Sequence, residues 1–530
     1  MIDSNPQHVT GREYWRSLNE LANTPEFQEK LDHEFVQYDP DQLLGMSRRR
    51  FVQLMGASMA LAGVSLTGCR RYPEEKIAPF ASRPDGRVPG VSERYATGMN
   101  LGGVATGLLV SQYDGRPIKI EGNPLHPMSN GSSSALAQAS VLELYDPERS
   151  RICVESGAES SWKAFANFAA KHFADLDATQ GEGFAILSEA TSSKAVARLK
   201  KQLKTRFPKA TWTRYEALDR NATEQGTKLA FGQTLRPQWQ LDQAQLIVSF
   251  DSDLFDEHPA HLKATRDWAG GRRTADQGKM NRVIALESTY TGFGRAADLR
   301  KALRPSQIKQ VVAAVAVKLG VSGVSLDGTL DEKLSKIVDL LVTEISHAKS
   351  VIVAGDALDA TTNAICHRIN AKIGAIGKTV VYTSEPLADD ADSDIAMLAK
   401  DMQAGKVNTL LVLGGNPVYD APVDLNFAAA LGKVKTSIHL SGYRDETSVA
   451  STWHLPKAHC LESWEDGQAW DGTHTITQPM IEPLWGGKTI QQVLTTILGG
   501  KDSDGLLLTR AASGVGSDLA WRKALASGIV

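Results

Sequence analysis

The residue types best suited to bind a metal are concentrated in one short segment. His454, His459 and Cys460 lie within seven residues of each other, and His474 follows. Imidazole and thiolate groups are the ligands that zinc prefers. Their spacing matches no recognised metal-binding pattern, and tryptophan and proline residues surround them. We therefore expect these histidines, and His439 in a predicted strand, to be core or loop residues.

Two other groups of residues could do chemistry. Cys366 and His367 could form a nucleophile and its base, but neighbouring positions on a predicted helix point apart. The carboxylates of residues 251–257 follow a predicted strand and could bind a cation. Carboxylates at a strand end are more often solvated or serve as caps. No catalytic residue is predicted from either group.

A glycine-rich turn is the sharpest ligand-binding candidate. Gly414, Gly415, Asn416 and Pro417 follow the apolar segment 410–413. Parallel sheets bind ligands beyond the carboxyl ends of their strands. Two glycines let the backbone approach a ligand, and Asn-Pro fixes a turn. A tight turn without a ligand has the same residues, so both interpretations stay open, as they do for residues 355–356.

The cysteines argue against a bound iron–sulfur cluster. There are four, at Cys69, Cys153, Cys366 and Cys460, and no Cys-x-x-Cys occurs. A conventional cluster needs four thiolates in clustered spacing. The sequence therefore predicts no cluster and no metal held by this chain.

An export signal is indicated near the amino terminus. Arg48 and Arg49 begin a twin-arginine pattern at residues 47–53, and an apolar run of about 13 residues follows. We expect export of the folded protein and retention of this signal. Cys69 ends a Leu-Thr-Gly-Cys sequence, which is a lipidation site in bacterial lipoproteins or a plain cysteine after an uncleaved signal. One acyl chain anchors weakly, so lipidation would need further membrane contacts.

Composition excludes several classes of protein. The chain has 530 residues, a net charge of −3 and 42% hydrophobic residues, which is a globular composition with length for two or more domains. A nucleic-acid partner is disfavoured because such proteins carry a basic face. No run of about 18 apolar residues occurs, so no transmembrane helix is predicted.

The pattern along the chain predicts an α/β fold. Short apolar segments at 184–188, 246–250, 283–286, 351–354, 380–382 and 410–413 alternate with helical segments such as 307–319, 331–347 and 359–374. This alternation is typical of parallel sheets with helices on both faces. Before it, residues 107–120 predict a β-hairpin with its turn at Asp114-Gly115.

Five segments are predicted from these patterns. They are a helical docking extension (1–45), the twin-arginine segment (46–71), a linker (72–92), a small β-rich segment (93–150) and an α/β body (151–530).

Several motifs together resemble the molybdopterin oxidoreductase superfamily. They run in order through most of residues 93–485: 114–124 with 126–127, 144–149, 297–305, 414–417, 446–447, 453–456, and Glu462 with 466–467 and Gln478. The resemblance implies a molybdopterin-oxidoreductase-like fold and makes Gly414–Pro417 a vestigial pterin loop.

Departures from that superfamily decide the expected function. Cluster-binding cysteines are missing from residues 95–110, and the last ligand position falls near Ser134. The segment that should hold the metal ligand, 211–250, offers only Ser249. Because the chain resembles the superfamily but lacks these ligand residues, we expect its α/β body to hold neither a molybdenum centre nor an iron–sulfur cluster.

A narrower resemblance is to the large iron–sulfur subunit family of bacterial alternative complex III, a quinol-oxidising membrane complex. Residues 14–21, the late arginine signal and the cysteine-free body carry it. It implies a cofactor-free scaffold on the periplasmic side of the inner membrane. The implied partners are a ferredoxin-like iron–sulfur subunit, polytopic quinol-binding membrane subunits and a multihaem cytochrome c, which would hold the iron–sulfur clusters and haem c.

The resemblance covers the first half of that family. The second half is then a separate subunit, or this sequence is a piece of a longer protein. An active periplasmic molybdoenzyme subunit and a ligand-binding module on the same fold are the alternative functions.

Overall fold

The computed structural model describes residues 24–25, 88, 90–275, 278–326, 328–386, 392–500 and 504–530. The chain divides into two units, Met1–Arg87 and Val88–Val530, and every feature below belongs to the second. Arg48, Arg49 and Cys69 lie outside the described residues. So do most of the predicted docking extension and most of the predicted linker.

The described strands are numbered in chain order. They are β1 (Glu93–Leu101), β2 (Val104–Tyr113), β3 (Arg116–Gly122), β4 (Cys153–Glu155), β5 (Ala158–Ser160), β6 (Phe184–Ser188), β7 (Thr211–Arg214), β8 (Leu235–Trp239), β9 (Leu246–Phe250), β10 (Arg282–Glu287), β11 (Leu299–Ala302), β12 (Ser350–Ala354), β13 (Val380–Ser384), β14 (Thr409–Leu413), β15 (Thr436–Ser441), β16 (Trp453–Pro456), β17 (Glu465–Gln468) and β18 (His474–Thr477).

The α-helices are numbered in the same way. They are α1 (Ala135–Leu144), α2 (Trp162–Asp175), α3 (Lys194–Arg206), α4 (Asn221–Phe231), α5 (His261–Arg272), α6 (Gly292–Arg295), α7 (Pro305–Lys318), α8 (Glu332–His347), α9 (Ala360–Lys372), α10 (Ile395–Gln403), α11 (Pro417–Asp420), α12 (Phe427–Leu431), α13 (Glu446–Ala450), α14 (Ile490–Ile497), α15 (Gly505–Ser513) and α16 (Asp518–Ser527).

The larger sheet has the strand order β5-β4-β16-β15-β14-β6-β7. Strands β16, β15, β14, β6 and β7 are parallel, and β4 and β5 extend the sheet antiparallel. Every residue of β6 and β14 is buried, as their unbroken apolar sequences predict. Because the parallel strands share one direction, the turns after β6, β14, β15 and β16 meet at one edge.

The smaller parallel sheet has the order β11-β10-β9-β12. Helices α7, α8 and α9 cover one face of it, and a second apolar cluster that includes Trp239 and Phe293 covers the other. The predicted strand at 380–382 does not belong to this sheet. It forms β13, which pairs antiparallel with β8, because Val380 and Tyr382 align with Trp239 and Pro237 instead.

The predicted hairpin is confirmed in β2 and β3. Its turn residues Asp114 and Gly115 both have positive φ, 47° and 84°. Two positive φ angles give the turn the twist that a two-residue hairpin needs. Within the described residues, no helix is long and apolar enough to cross a membrane.

Candidate functional site

The carboxyl edge of the larger sheet borders an open cleft of about 370 Å³. Glu189 follows β6, Gly442 follows β15 and Lys457 follows β16, and all three line the cleft. This is the position at which parallel sheets bind ligands. The Gly414–Pro417 turn follows β14 at the same edge.

The Gly414 turn approaches a side chain of this chain closely. Gly414 and Gly415 have φ angles of 91° and 70°, which glycine adopts without strain. A Cβ on Gly414 would lie 2.2 Å from the Glu189 carboxylate and 3.5 Å from Lys457 Nζ. The absence of a side chain at Gly414 therefore leaves room for the Glu189 carboxylate, which packs against the turn.

Hydrogen bonds fix the rest of this turn. Asn416 Oδ1 accepts hydrogen bonds from the backbone N–H of Thr447 at 3.1 Å and from its hydroxyl at 2.7 Å. His439 Nε2 donates to the Gly415 carbonyl at 3.0 Å. Pro417 begins α11. The Asn416–Thr447 pair joins two of the motifs that carried the superfamily resemblance and explains both without a ligand.

The cleft carries an excess of carboxylates. Glu143, Glu189, Glu216 and Glu465 line it together with Lys457, while the Arg149 guanidinium is bound to another carboxylate. Burial raises the pKa of Glu216 and of Glu465. A phosphate group placed here would face the Glu143 and Glu189 carboxylates, so the local charge disfavours a phosphate-bearing ligand.

At the smaller sheet, the glycine after β12 has a packing role. A Cβ on Gly355 would lie 1.6 Å from the carbonyl oxygen of Asp251. The turns after β9 and β12 are thus pressed together, and this contact requires glycine whether or not a ligand is present.

The crevice beyond β9 and β12 is filled by Trp470. This indole is 4% exposed and donates from Nε1 to the Pro237 carbonyl at 2.9 Å. The guanidinium carbons of Arg236 and Arg220 lie 4.9 and 5.6 Å from the ring centroid, and the His258 ring lies 4.9 Å away. A space of only about 20 Å³ remains.

Each candidate metal-binding histidine has a hydrogen-bond partner within the chain. His454 Nε2 pairs with the Ser150 hydroxyl at 2.7 Å, His459 Nδ1 accepts from the Leu461 N–H, and His474 Nε2 contacts Asp466 at 2.9 Å. Burial lowers the pKa of His454 and of His459 to about 4. Over the described residues no group of three or more His, Cys, Asp or Glu side chains is placed to hold a metal.

Two carboxylates of residues 251–257, those of Asp251 and Asp253, act as caps. Asp251 accepts hydrogen bonds from the N–H and hydroxyl of Ser288. Asp253 accepts from the N–H groups of Phe255, Gly292 and Phe293. These oxygens are already occupied by donors, so the capping interpretation accounts for them.

The chain is similar to solved structures and to a curated protein. Acetylene hydratase from Pelobacter acetylenicus superposes with a TM-score of 0.60 at 14% identity, covering 81% of this chain and 73% of that one. The menaquinone reductase molybdopterin-binding-like subunit of Nitratidesulfovibrio vulgaris is 22% identical over 472 residues, or 78% of this chain. This chain has a molybdopterin-oxidoreductase-like fold. It spans 65% of the length of the curated relative, and no family model matches it.

A pterin cofactor does not fit the described residues at the two sheet edges. One carboxyl edge presents carboxylates, with Glu189 against the glycine turn. The other is closed by Trp470 to about 20 Å³, whereas ligand pockets usually measure about 300–1,000 Å³.

The positions expected to hold metal ligands have other roles. The Ser134 hydroxyl accepts the Ala137 N–H and caps α1, and the buried Ser249 hydroxyl donates to the Ser252 carbonyl. Burial raises the pKa of Cys153 to about 11 and of Cys460 to about 12, which disfavours the thiolate that a metal needs. Cys366 lies in a different hydrophobic cluster from Cys153.

Cys366 and His367 point apart, as their adjacent positions predict. Cys366 packs in the cluster beneath the smaller sheet, while the His367 ring contacts Phe231 and Tyr382.

Sequence reasoning missed Glu189 and Trp470, the two side chains that occupy the sheet edges. Glu189 directly follows a predicted strand, so its position alone could have marked it. No local pattern marks Trp470, because its partners lie more than 200 residues away.

Proposed function

We propose that this chain is a cofactor-free scaffold subunit of a membrane-bound, quinol-oxidising respiratory complex of the alternative complex III type. Electrons pass through the partner subunits and not through this chain. The observation that carries the proposal is the closure of the smaller sheet's ligand crevice by Trp470.

The curated relative supports the respiratory setting. It is named as a molybdopterin-binding-like subunit of a menaquinone reductase, which is a quinone-linked enzyme. The proposed partners are a ferredoxin-like iron–sulfur subunit, polytopic quinol-binding membrane subunits and a multihaem cytochrome c. The arginine pattern at Arg48 and Arg49 supports a periplasmic location, and Cys69 is the proposed lipid anchor.

Exposed apolar side chains support a role in assembly. Leu218, Tyr419, Val423 and Val449 follow β7, β14 and β15 and are 91%, 76%, 94% and 67% exposed. Helices α11 and α13, which carry Tyr419 and Val449, are in contact. Neighbouring exposed apolar side chains such as Tyr419 and Val449 are typical of a site of protein association.

Co-purification tests the proposal. Membranes from cells with the tagged chain are solubilised in mild detergent, and the tagged protein is isolated and analysed by mass spectrometry and haem spectroscopy. We expect a complex that contains iron–sulfur, haem c and polytopic membrane subunits. Recovery as a monomer without these subunits would contradict the scaffold.

Two matched variants separate export from assembly. The double substitution Arg48→Lys with Arg49→Lys removes the twin-arginine pair and should leave the chain in the cytoplasm without partners. Tyr419→Ser with Val449→Ser should leave export intact and weaken partner recovery. Lys336→Ala, on an exposed helix face, is the control.

A further inference from the structure

A small polar cavity of about 20 Å³ remains beside the Trp470 indole. Trp239 at the end of β8 and His367 on α9 both line it. Both side chains are almost fully buried, at 6% and 1% exposure. The cavity therefore lies between two separate elements and under the residue that fills the crevice.

Each of these two lining side chains carries a buried nitrogen atom that lacks a hydrogen-bond partner among the described residues. Trp239 Nε1 and His367 Nε2 have no hydrogen-bond partner among the described residues. The other imidazole nitrogen, His367 Nδ1, is bonded to the Tyr382 hydroxyl at 2.8 Å. Buried polar groups in native proteins are nearly always paired with protein atoms or with ordered water.

We propose that one ordered water molecule occupies this cavity and bridges Trp239 Nε1 to His367 Nε2. A buried water needs about 10–15 Å³, so the cavity holds one molecule and little more. It accepts the indole N–H, which is only a donor, and it pairs with the imidazole nitrogen.

The charges around the cavity favour water over an ion. Asp253, Glu257 and Asp356 line it and would repel an anion. The Trp239 N–H is only a hydrogen-bond donor and has no lone pair with which to ligate a cation. Burial lowers the pKa of His367 to about 4, so the ring is neutral at neutral pH and can donate or accept. Water satisfies both kinds of partner.

This water joins β8 to α9 beneath Trp470. The water completes the hydrogen bonding of the buried side chains in the crevice that the Trp470 indole closes. Its presence does not depend on the proposed scaffold function.

A crystal structure of the wild-type protein, grown or soaked with sodium bromide, tests the site. We expect one density peak within hydrogen-bond distance of both nitrogen atoms and no anomalous bromine signal. An absent peak, a peak bonded to only one nitrogen, or an anomalous bromine peak would each overturn the proposal.

Variants give a second test in solution. Trp239→Phe and His367→Phe each remove one partner of the water, and the double variant removes both. Each single variant removes one nitrogen and leaves the water with only the other. The double variant removes both nitrogens, so we expect it to lower Tm by less than the sum of the two single shifts. Strictly additive shifts would overturn the bridge.

Trp453→Phe is the matched control. Trp453 Nε1 also lacks a partner in the described part of the chain, but its ring packs against Phe165 and Phe168 in an apolar cluster. Its effect on Tm should add to that of Trp239→Phe.

Discussion

Arg149 and Glu462 form a buried, bidentate ion pair across 313 residues of sequence, with N–O distances of 3.0 and 2.6 Å. Their side chains are 4% and 0% exposed. Glu462 also accepts the backbone N–H groups of His459 and Leu484. The pair joins the segment after α1 to the turn after β16, and it explains why two distant motifs of the superfamily resemblance occur together.

Removing the arginine should be strongly destabilising. Arg149→Met leaves the Glu462 carboxylate buried without its counterion, and breaking a buried pair in this way costs about 3–5 kcal/mol. Urea unfolding followed by circular dichroism measures the loss. Lys336→Ala breaks the exposed pair with Glu332 and should leave the free energy of unfolding unchanged within error. Equal effects of the two variants would contradict the buried role of Arg149.

Stability should fall in mild acid. Burial lowers the pKa of His454 to about 4, against an ordinary value of 6.5, so the unfolded chain binds the proton more tightly. Stability is therefore full above pH 6.5 and is lost as the pH falls toward 4, by up to about 3 kcal/mol for this group. Unfolding at pH 7.5 and 4.5 measures the difference.

His454→Gln is the matched variant for that experiment. It keeps a polar partner for Ser150 but does not titrate. We expect a shallower loss between the two pH values, with the remainder due to buried histidines such as His459 and His367. An unchanged slope would show that His454 is not buried as described.

Gly414→Ala should be destabilising for two separable reasons. Its φ of 91° strains any side chain, at about 1–3 kcal/mol, and its Cβ meets the Glu189 carboxylate. Adding Glu189→Ala should recover the steric part and leave the strain. Gly516→Ala, where a Cβ meets nothing within 4 Å, should be near neutral. No recovery in the Gly414/Glu189 double variant would place Glu189 away from the turn.

Trp470→Ala should cost about 3–5 kcal/mol, because it removes a buried indole and its contacts with Arg220 and Arg236. Trp470→Phe keeps an aromatic ring near the two guanidinium groups and should cost less. Thermal and urea unfolding compare the two. A loss below about 1 kcal/mol for the alanine variant would mean that the indole does not fill the crevice.

Much of the fold could be predicted because its signals are local. The apolar segments 184–188 and 246–250 coincide with β6 and β9, since a strand buried on both faces has an unbroken apolar sequence. Strand pairing is less local. The segment 380–382 has the same apolar character, yet it pairs with β8 outside the parallel sheets.

The candidate site was only partly predictable. The Gly414–Pro417 turn could be predicted because glycines and an Asn-Pro pair are typical of turns. The same residues do not show which side chain packs against the turn. The roles of Glu189 and Trp470 depend on contacts between residues far apart in sequence. Ser134 could be recognised as a missing cluster ligand, but its role as a helix cap needed the position of α1.

Metal and pterin analysis of the purified chain tests the central claim most directly. The chain is isolated from its membrane complex, separated from the partner subunits, and examined by elemental mass spectrometry and by fluorescence of oxidised pterin. The account predicts molybdenum, tungsten and pterin far below one equivalent per chain. Stoichiometric molybdenum or tungsten together with pterin would contradict it and would favour an active molybdoenzyme subunit.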